Sequence, residues 1–277
     1  MDADLSKYFD TIPHDALMSC VARRIVDRHV LHLIKMWLKT PVEERDADGT
    51  RRMSGGKGQT KGTPQGGVAS PLLANLYMNR FLKHWRHTQR SRAFRAHVVS
   101  YADDFVILSR GRAAEALAWT KAVMMRIGLT LNEAKTSLKN AHRESFDFLG
   151  YTFGPHYAWD DGHVYLGASP SKKSVQRLKT KVGDMLVSGE KRAWPAVCKR
   201  LNQMLNGWSA YFCHGALRSS YTAIDRHVSE NVRIFLAKRS KSHGRGTRKF
   251  SKDKVFGELG VKRLMRWDSR STPRALP

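Results

Sequence analysis

Between Val98 and Leu108 two short apolar runs, rich in valine and aromatics, flank Ala102-Asp103-Asp104. Runs of this kind, meeting at a tight turn, predict a β-hairpin with acids at its tip. An isolated Asp-Asp pair usually marks nothing more than a solvated turn, so the meaning of this one depends on the rest of the chain. Upstream, Ala3 to Leu5 reads as the end of a strand carrying Asp4, and Pro13 with Asp15 suits the first turn of a helix. If the two strands are neighbours in one sheet, Asp4, Asp103 and Asp104 converge at one edge. Phosphoryl transfer to a nucleic acid 3′ end needs two hard cations roughly 4 Å apart, and hard cations take oxygen ligands, usually carboxylates.

A polyanionic partner is the second expectation. The chain has 277 residues, with 49 Lys and Arg against 24 Asp and Glu, a formal net charge of +25. Such a charge repels itself unless a polyanion screens it, and nucleic acid is the obvious one. An anionic membrane surface is the competing partner, but no apolar run approaches the ~20 residues needed to span a bilayer. The start, MDADLSKYFD, lacks the basic and apolar stretches of a secretory signal, so a cytoplasmic location is expected. Cys20, Cys198 and Cys213 form no C-x-x-C pair, which argues against a disulfide framework or a paired-cysteine zinc site and for reduced core residues.

The chain changes character along its length. Leu31, Ile34, Met36 and Leu38 continue a helical pattern to about Thr40, where Pro41 ends it. Residues 42 to 61 carry an Asp-Gly turn signal and clustered glycines, and read as a loose hairpin or loop facing substrate. From Ser70 to about Arg90 the pattern is helical, with Leu73, Leu76, Tyr77, Phe81 and Trp85 on one face, and Ala113 to Ile127 returns to helix. Strand-like pieces follow at Leu129 to Leu131, Phe146 to Tyr151 and Val164 to Leu166. Helical stretches then occupy 172 to 187, 194 to 212 and 221 to 239. The expected domains are 1–160, 161–240 and a basic segment 241–277, rich in Gly and Ser, that orders only on a partner.

Several segments carry more than a fold pattern. DADLSKYFDTIPHDAL, GTPQGGVASPLLANLYMN, YADD, GLTLNEAKT and FLGYTF resemble the successive palm motifs of reverse transcriptases, in order and at matching spacing. NGWSAYF, residues 206 to 212, resembles the thumb and maturase segment that group II intron proteins place after the palm. The resemblance implies an α+β reverse-transcriptase palm followed by a helical thumb and maturase domain. Family members carry a fingers region ahead of the strand with the first catalytic acid, and here that strand begins at Met1, so an N-terminally truncated member is expected.

By resemblance, Asp4, Asp103 and Asp104 would be the catalytic acids and the ligands of two Mg²⁺ ions, with Mn²⁺ as the substitute. Phe9 matches the bulky residue that closes off the 2′ side of the sugar; on the residues alone it is ordinary core. Gln65 and Gly66, within GTPQGG, would touch the template base and incoming nucleotide, although a glycine-rich turn is the plainer account. Lys135 matches a lysine near the triphosphate. Phe148, Leu149, Gly150 and Tyr151 match the hairpin that holds the primer end, while Phe148 and Leu149 are equally good core. GGKGQTKGT is not a Walker A loop, since Gly56-Lys57 is followed by Gly58.

The C-terminal part reads as a binding surface. Lys172, Lys173, Arg177, Lys179 and Lys181 cluster on one helical stretch and suit a phosphate-tracking face. Arg239, Lys241, Arg245, Arg248 and Lys249, with Gly244 and Gly246 between them, suit RNA phosphates through charge and flexibility. Trp208, Tyr211 and Phe212, at i, i+3 and i+4, favour helix packing over base stacking. His84 and His87 sit among cations that oppose metal binding, so they read as part of a basic face. No HNH-type set of cysteines and histidine is present. The expected partners are group II intron RNA, an RNA template with a DNA primer, and deoxynucleoside triphosphates. A splicing cofactor without polymerase activity, and a remnant that does not fold stably alone, are the competing expectations.

Overall fold

A computed structural model describes residues 2–5, 8–45, 48–64, 66–102, 104–158, 161–187, 189–240, 246 and 248–265. The chain divides into two compact units, residues 1–139 and 140–277.

The first unit is built on a three-stranded antiparallel sheet in the order β1-β5-β4. Its elements are β1 (Asp2–Asp4), α1 (Tyr8–Thr11), α2 (His14–Ala22), α3 (Arg28–Leu38), β2 (Val42–Arg45), β3 (Arg51–Ser54), α4 (Ser70–His87), α5 (Arg90–Ala93), β4 (Ala96–Tyr101), β5 (Asp104–Ser109) and α6 (Ala113–Arg126). Alternation along β4 and β5 sends Ala96, Phe105 and Ile107 into the core and leaves His97, Val99 and Tyr101 exposed. The buried face of α4, with Leu73, Tyr77, Phe81 and Trp85, covers this sheet, and the Phe81 and Phe105 rings lie 5.8 Å apart. Leu76 is only half-buried. Asp27 starts α3 by accepting from the backbone N–H groups of His29 and Val30 at 2.7 and 3.3 Å. The segment after Pro41 is a defined hairpin, with Val42 opposite Ser54 and Arg45 opposite Arg51. Leu129 to Leu131 contributes no strand, only a single bridge between Leu131 and Leu5.

The second unit comprises β6 (Phe146–Phe148), β7 (Tyr151–Tyr157), β8 (Val164–Pro170), α7 (Lys172–Met185), α8 (Trp194–Tyr211), α9 (Arg218–Arg239) and α10 (Lys252–Phe256). Its strands form a three-stranded antiparallel sheet in sequence order, and Ser171 caps α7 by accepting from the Ser174 N–H at 3.2 Å. Leu178 and Val182 from α7, Leu201 and Leu205 from α8, and Val228, Val232 and Phe235 from α9 form its core. The two units meet at 139/140, so this sheet belongs with the helices that follow it. A boundary near 160 reflects where strand periodicity fades, and periodicity does not tell which core a strand packs on.

The C-terminal stretch differs from expectation. Residues 248–265 fold onto the helices: Val255, Val261 and Leu264 are buried. The Trp194 indole donates to the Leu259 carbonyl at 3.0 Å, and Asn202 donates to Gly260 O at 2.8 Å. Asp225, 4% exposed, accepts from the backbone N–H groups of Leu264 and Met265, both at 2.9 Å. A few spaced apolar residues join the core of the helices here, and composition alone hides that. Cys20 and Cys198 are buried as expected, whereas Cys213 is exposed.

Candidate active site and nucleic-acid surface

The register of the first sheet pairs Asp4 with Asp104 directly across β1 and β5, and Asp104 with Tyr101 across β4 and β5. Asp104 is exposed at the start of β5, opposite Tyr101 at the end of β4. Asp103 itself lies outside the described residues. Ala102 is held at φ +53°, in the left-handed region. Aspartates at opposed positions on a strand end provide the all-oxygen donor chemistry that a hard divalent cation takes. Among the described residues no group of three or more His, Cys, Asp or Glu comes together, a set in which Asp103 is not counted.

Phe9 lies on α1, half-buried, its ring 5.7 Å from that of Tyr8. Its carbonyl accepts from the Thr63 N–H at 2.6 Å, so the segment entering GTPQGG is bound to the one leaving β1. Gln65 lies outside the described residues. Gly66 is exposed at φ +80° with open space where a Cβ would stand. Lys135 is exposed in a turn whose backbone N–H reaches Asn132 O at 3.1 Å, four residues after the bridge that joins Leu131 to Leu5.

In the second unit Phe148 and Tyr151 face each other across a two-residue turn, with Leu149 at φ +50° and Gly150 at +81°. Positive φ at both central residues is the type I′ geometry that matches strand twist. Phe148 is core. The tip is latched at several points: the Tyr211 hydroxyl donates to Leu149 O at 2.9 Å, the Tyr151 hydroxyl donates to Tyr211 O at 2.8 Å, and Gly150 O accepts from the Ser171 N–H and the Ser174 hydroxyl, each at 2.9 Å. Burial pushes the Tyr151 phenol above its ordinary pKa, which keeps the donor protonated. Phe212 packs in the interior as expected, but Tyr211 is 54% exposed and serves as a latch.

On α7, Lys172, Lys173, Arg177 and Lys181 are exposed and Lys179 is half-buried. Lys173, Arg177 and Lys181, spaced by four, form one stripe beside the buried Leu178 and Val182. Arg239 does not match the phosphate-binding expectation so simply. Its guanidinium donates to Arg192 O at 2.7 Å and lies 5.2 Å over the Phe235 ring, which makes it a brace for the α7–α8 loop. In that loop the Arg192 guanidinium beside Glu190 holds its carboxyl down at about 2. Arg248 is exposed and Lys249 lies over the Phe250 ring at 5.7 Å; Lys241 and Arg245 lie outside the described residues. His84 and His87 are exposed, and His84 stacks on Trp119 with ring centres 5.4 Å apart. Among the described residues no helix is long and apolar enough to cross a membrane.

Residues 1–153 match the family of reverse transcriptases (RNA-dependent DNA polymerases), and residues 175–254 match the maturase-specific domain of group II introns. The chain belongs to the reverse transcriptase family. It is 31% identical to Protein YkfC of Escherichia coli, over 54% of this chain and 45% of that one. It is 23% identical to an uncharacterized 91 kDa protein in the cob intron of Schizosaccharomyces pombe, over 65% of this chain and 29% of the relative. It thus spans less than half the length of the curated relatives it matches. Telomerase of Candida albicans, solved in complex with the TWJ fragment of telomeric RNA, is 13% identical with a TM-score of 0.48, covering 96% of this chain and 51% of that one.

Proposed function

We propose that the chain is the palm and maturase portion of a group II intron reverse transcriptase, an RNA-directed DNA polymerase that also binds intron RNA. The observation that carries this reading is the register of Asp4 opposite Asp104 in a member of the reverse transcriptase family. The first unit would supply the palm, and the second the primer hairpin and thumb.

When bound, divalent cations, magnesium or manganese, held by Asp4, Asp103 and Asp104 would lower the pKa of the primer 3′-hydroxyl and stabilise charge on pyrophosphate. Phe9 would exclude a 2′-hydroxyl from the sugar site. Gln65 and Gly66 would meet the template base and the nucleotide, with the bare Gly66 backbone allowing close approach. Lys135 would steady the triphosphate. The rigid Phe148–Tyr151 hairpin would hold the primer end, and the exposed cations of α7, with Arg248 and Lys249, would track RNA phosphates.

Primer extension on an RNA template with Mg²⁺ and deoxynucleotides, run with the chain and with Asp103→Asn, tests the proposal. Extension by the first and none by the second is expected, with RNA affinity nearly equal in both. Failure of both to extend, with salt-sensitive RNA binding retained, would leave a splicing cofactor in place of a polymerase.

A further inference from the structure

His14 is 6% exposed at the start of α2, and its Nε2 lies 2.6 Å from the carbonyl oxygen of Gly62. A carbonyl only accepts, so Nε2 carries the proton and donates. Nδ1 is buried and has no hydrogen-bond partner. Burying an unmatched polar nitrogen is costly, so the bond made by the other ring nitrogen is what this position gains.

What it holds is the approach to GTPQGG. Three backbone bonds run beside it: His14 N–H to Thr60 O at 2.9 Å, Gly62 N–H to Ile12 O at 2.8 Å, and Thr63 N–H to Phe9 O at 2.6 Å. Gly62 is packed tightly against the first segment: it has φ +92°, and a Cβ there would stand 3.0 Å from Asp10 O and 3.2 Å from Asp10 Cα. The His14 bond is a side-chain contact in this lacing that a substitution can remove without touching the backbone.

We propose that His14 is a positioning residue that sets the spacing between the segment carrying Phe9 and the turn beginning at Thr63, and thereby how strictly the site separates deoxynucleoside from ribonucleoside triphosphates. The inference rests on the polymerase reading above. Phe9 meets the sugar and the turn meets the base, so a shift of one against the other moves the 2′ position relative to the ring that must exclude a hydroxyl. The cations proposed to bind RNA belong to the second unit, so RNA affinity serves as the control.

The test is addition of a single nucleotide, dATP or ATP, to a DNA primer on an RNA template, by the chain and by His14→Leu, His14→Asn and His14→Gln. Misplacing a bound substrate by a fraction of an ångström is enough for about a tenfold effect. The preference for dATP should therefore fall about tenfold in His14→Leu, mainly through KM. His14→Gln, whose amide N–H reaches as far as Nε2, should recover most of it. RNA affinity should stay unchanged throughout. Unchanged preference in His14→Leu and His14→Asn overturns the proposal while leaving the polymerase standing; no extension by the parent chain overturns both. Equal losses in His14→Leu and His14→Gln, with equally lowered melting temperatures, also overturn it, because stability alone then explains them. If His14→Leu does not fold, His14→Asn, polar but too short to reach Gly62, takes its place in the comparison.

Discussion

Ala102 sits at φ +53° between the two strands that carry the candidate acids. An L residue in the left-handed region costs roughly 1–2 kcal/mol, and the compensating advantage of alanine over glycine, a less flexible unfolded chain, is about 0.4–1 kcal/mol. Relief of strain therefore wins, and Ala102→Gly should stabilise the chain by up to about 1.5 kcal/mol, read as a raised urea midpoint at unchanged slope. A loss of stability would mean that the Ala102 methyl makes contacts worth more than the strain. His14 shows the opposite relation between residue and signal. Its neighbours Pro13 and Asp15 announce a helix start, but nothing in the local pattern separates this histidine from an exposed one. Only the return of residues 60–63 to its side gives it a partner.

At the scale of elements, the segment after α10 is the clearest case of order imposed from a distance. It has little periodicity, yet Asp225 on α9 satisfies two of its backbone N–H groups and Asn202 on α8 holds another, that of Lys262, at 2.7 Å. Asp225→Ala would leave one buried and one part-buried donor without acceptors, at about 1–3 kcal/mol for the buried one and less for the other, more for bonds to a charged partner. A loss of about 2–4 kcal/mol is expected, with residues 257–265 becoming the first site of limited proteolysis. Cleavage elsewhere first would show that the apolar anchors Val261 and Leu264 hold the segment without the carboxylate. The β6–β7 hairpin is the converse. Its two-residue turn is legible in the sequence FLGY, but its rigidity comes from Tyr211 and Ser174, which lie 62 and 24 residues away from their partners.

For the whole molecule, charge and fold divide the work. On the proposed function, the net charge of +25 would drive association with RNA at long range, and the exposed cations of α7 would offer phosphate contacts at short range. Replacing Lys172, Lys173 and Arg177 with alanine should weaken RNA binding and flatten the log-log salt dependence by roughly 0.7 to 0.9 for each phosphate no longer neutralised. Filter binding across a salt series measures it; a slope unchanged within error would place the RNA on another face. The same variant should keep its thermal stability, since these side chains are exposed and lie beside the core of the second unit rather than in it.

Periodicity, turn residues and motif order were sufficient for the helices α3, α4 and α6 to α9, the two acid-bearing strands and the family, because each of these is written in neighbouring residues: apolar spacing, a proline, an Asp-Asp pair between valines. The sequence also determined the donor chemistry of the candidate site, since aspartates at strand ends are oxygen ligands wherever the strands go. The tertiary structure alone decided that Asp4 stands opposite Asp104, that Arg239 braces a loop, that Tyr211 latches a hairpin, that the last helix docks, and that His14 holds the turn before Gln65. The physical reason is common to all five. Each depends on a hydrogen bond or packing contact whose two halves are far apart in the chain, and a long-range contact leaves no mark on the local pattern of either half.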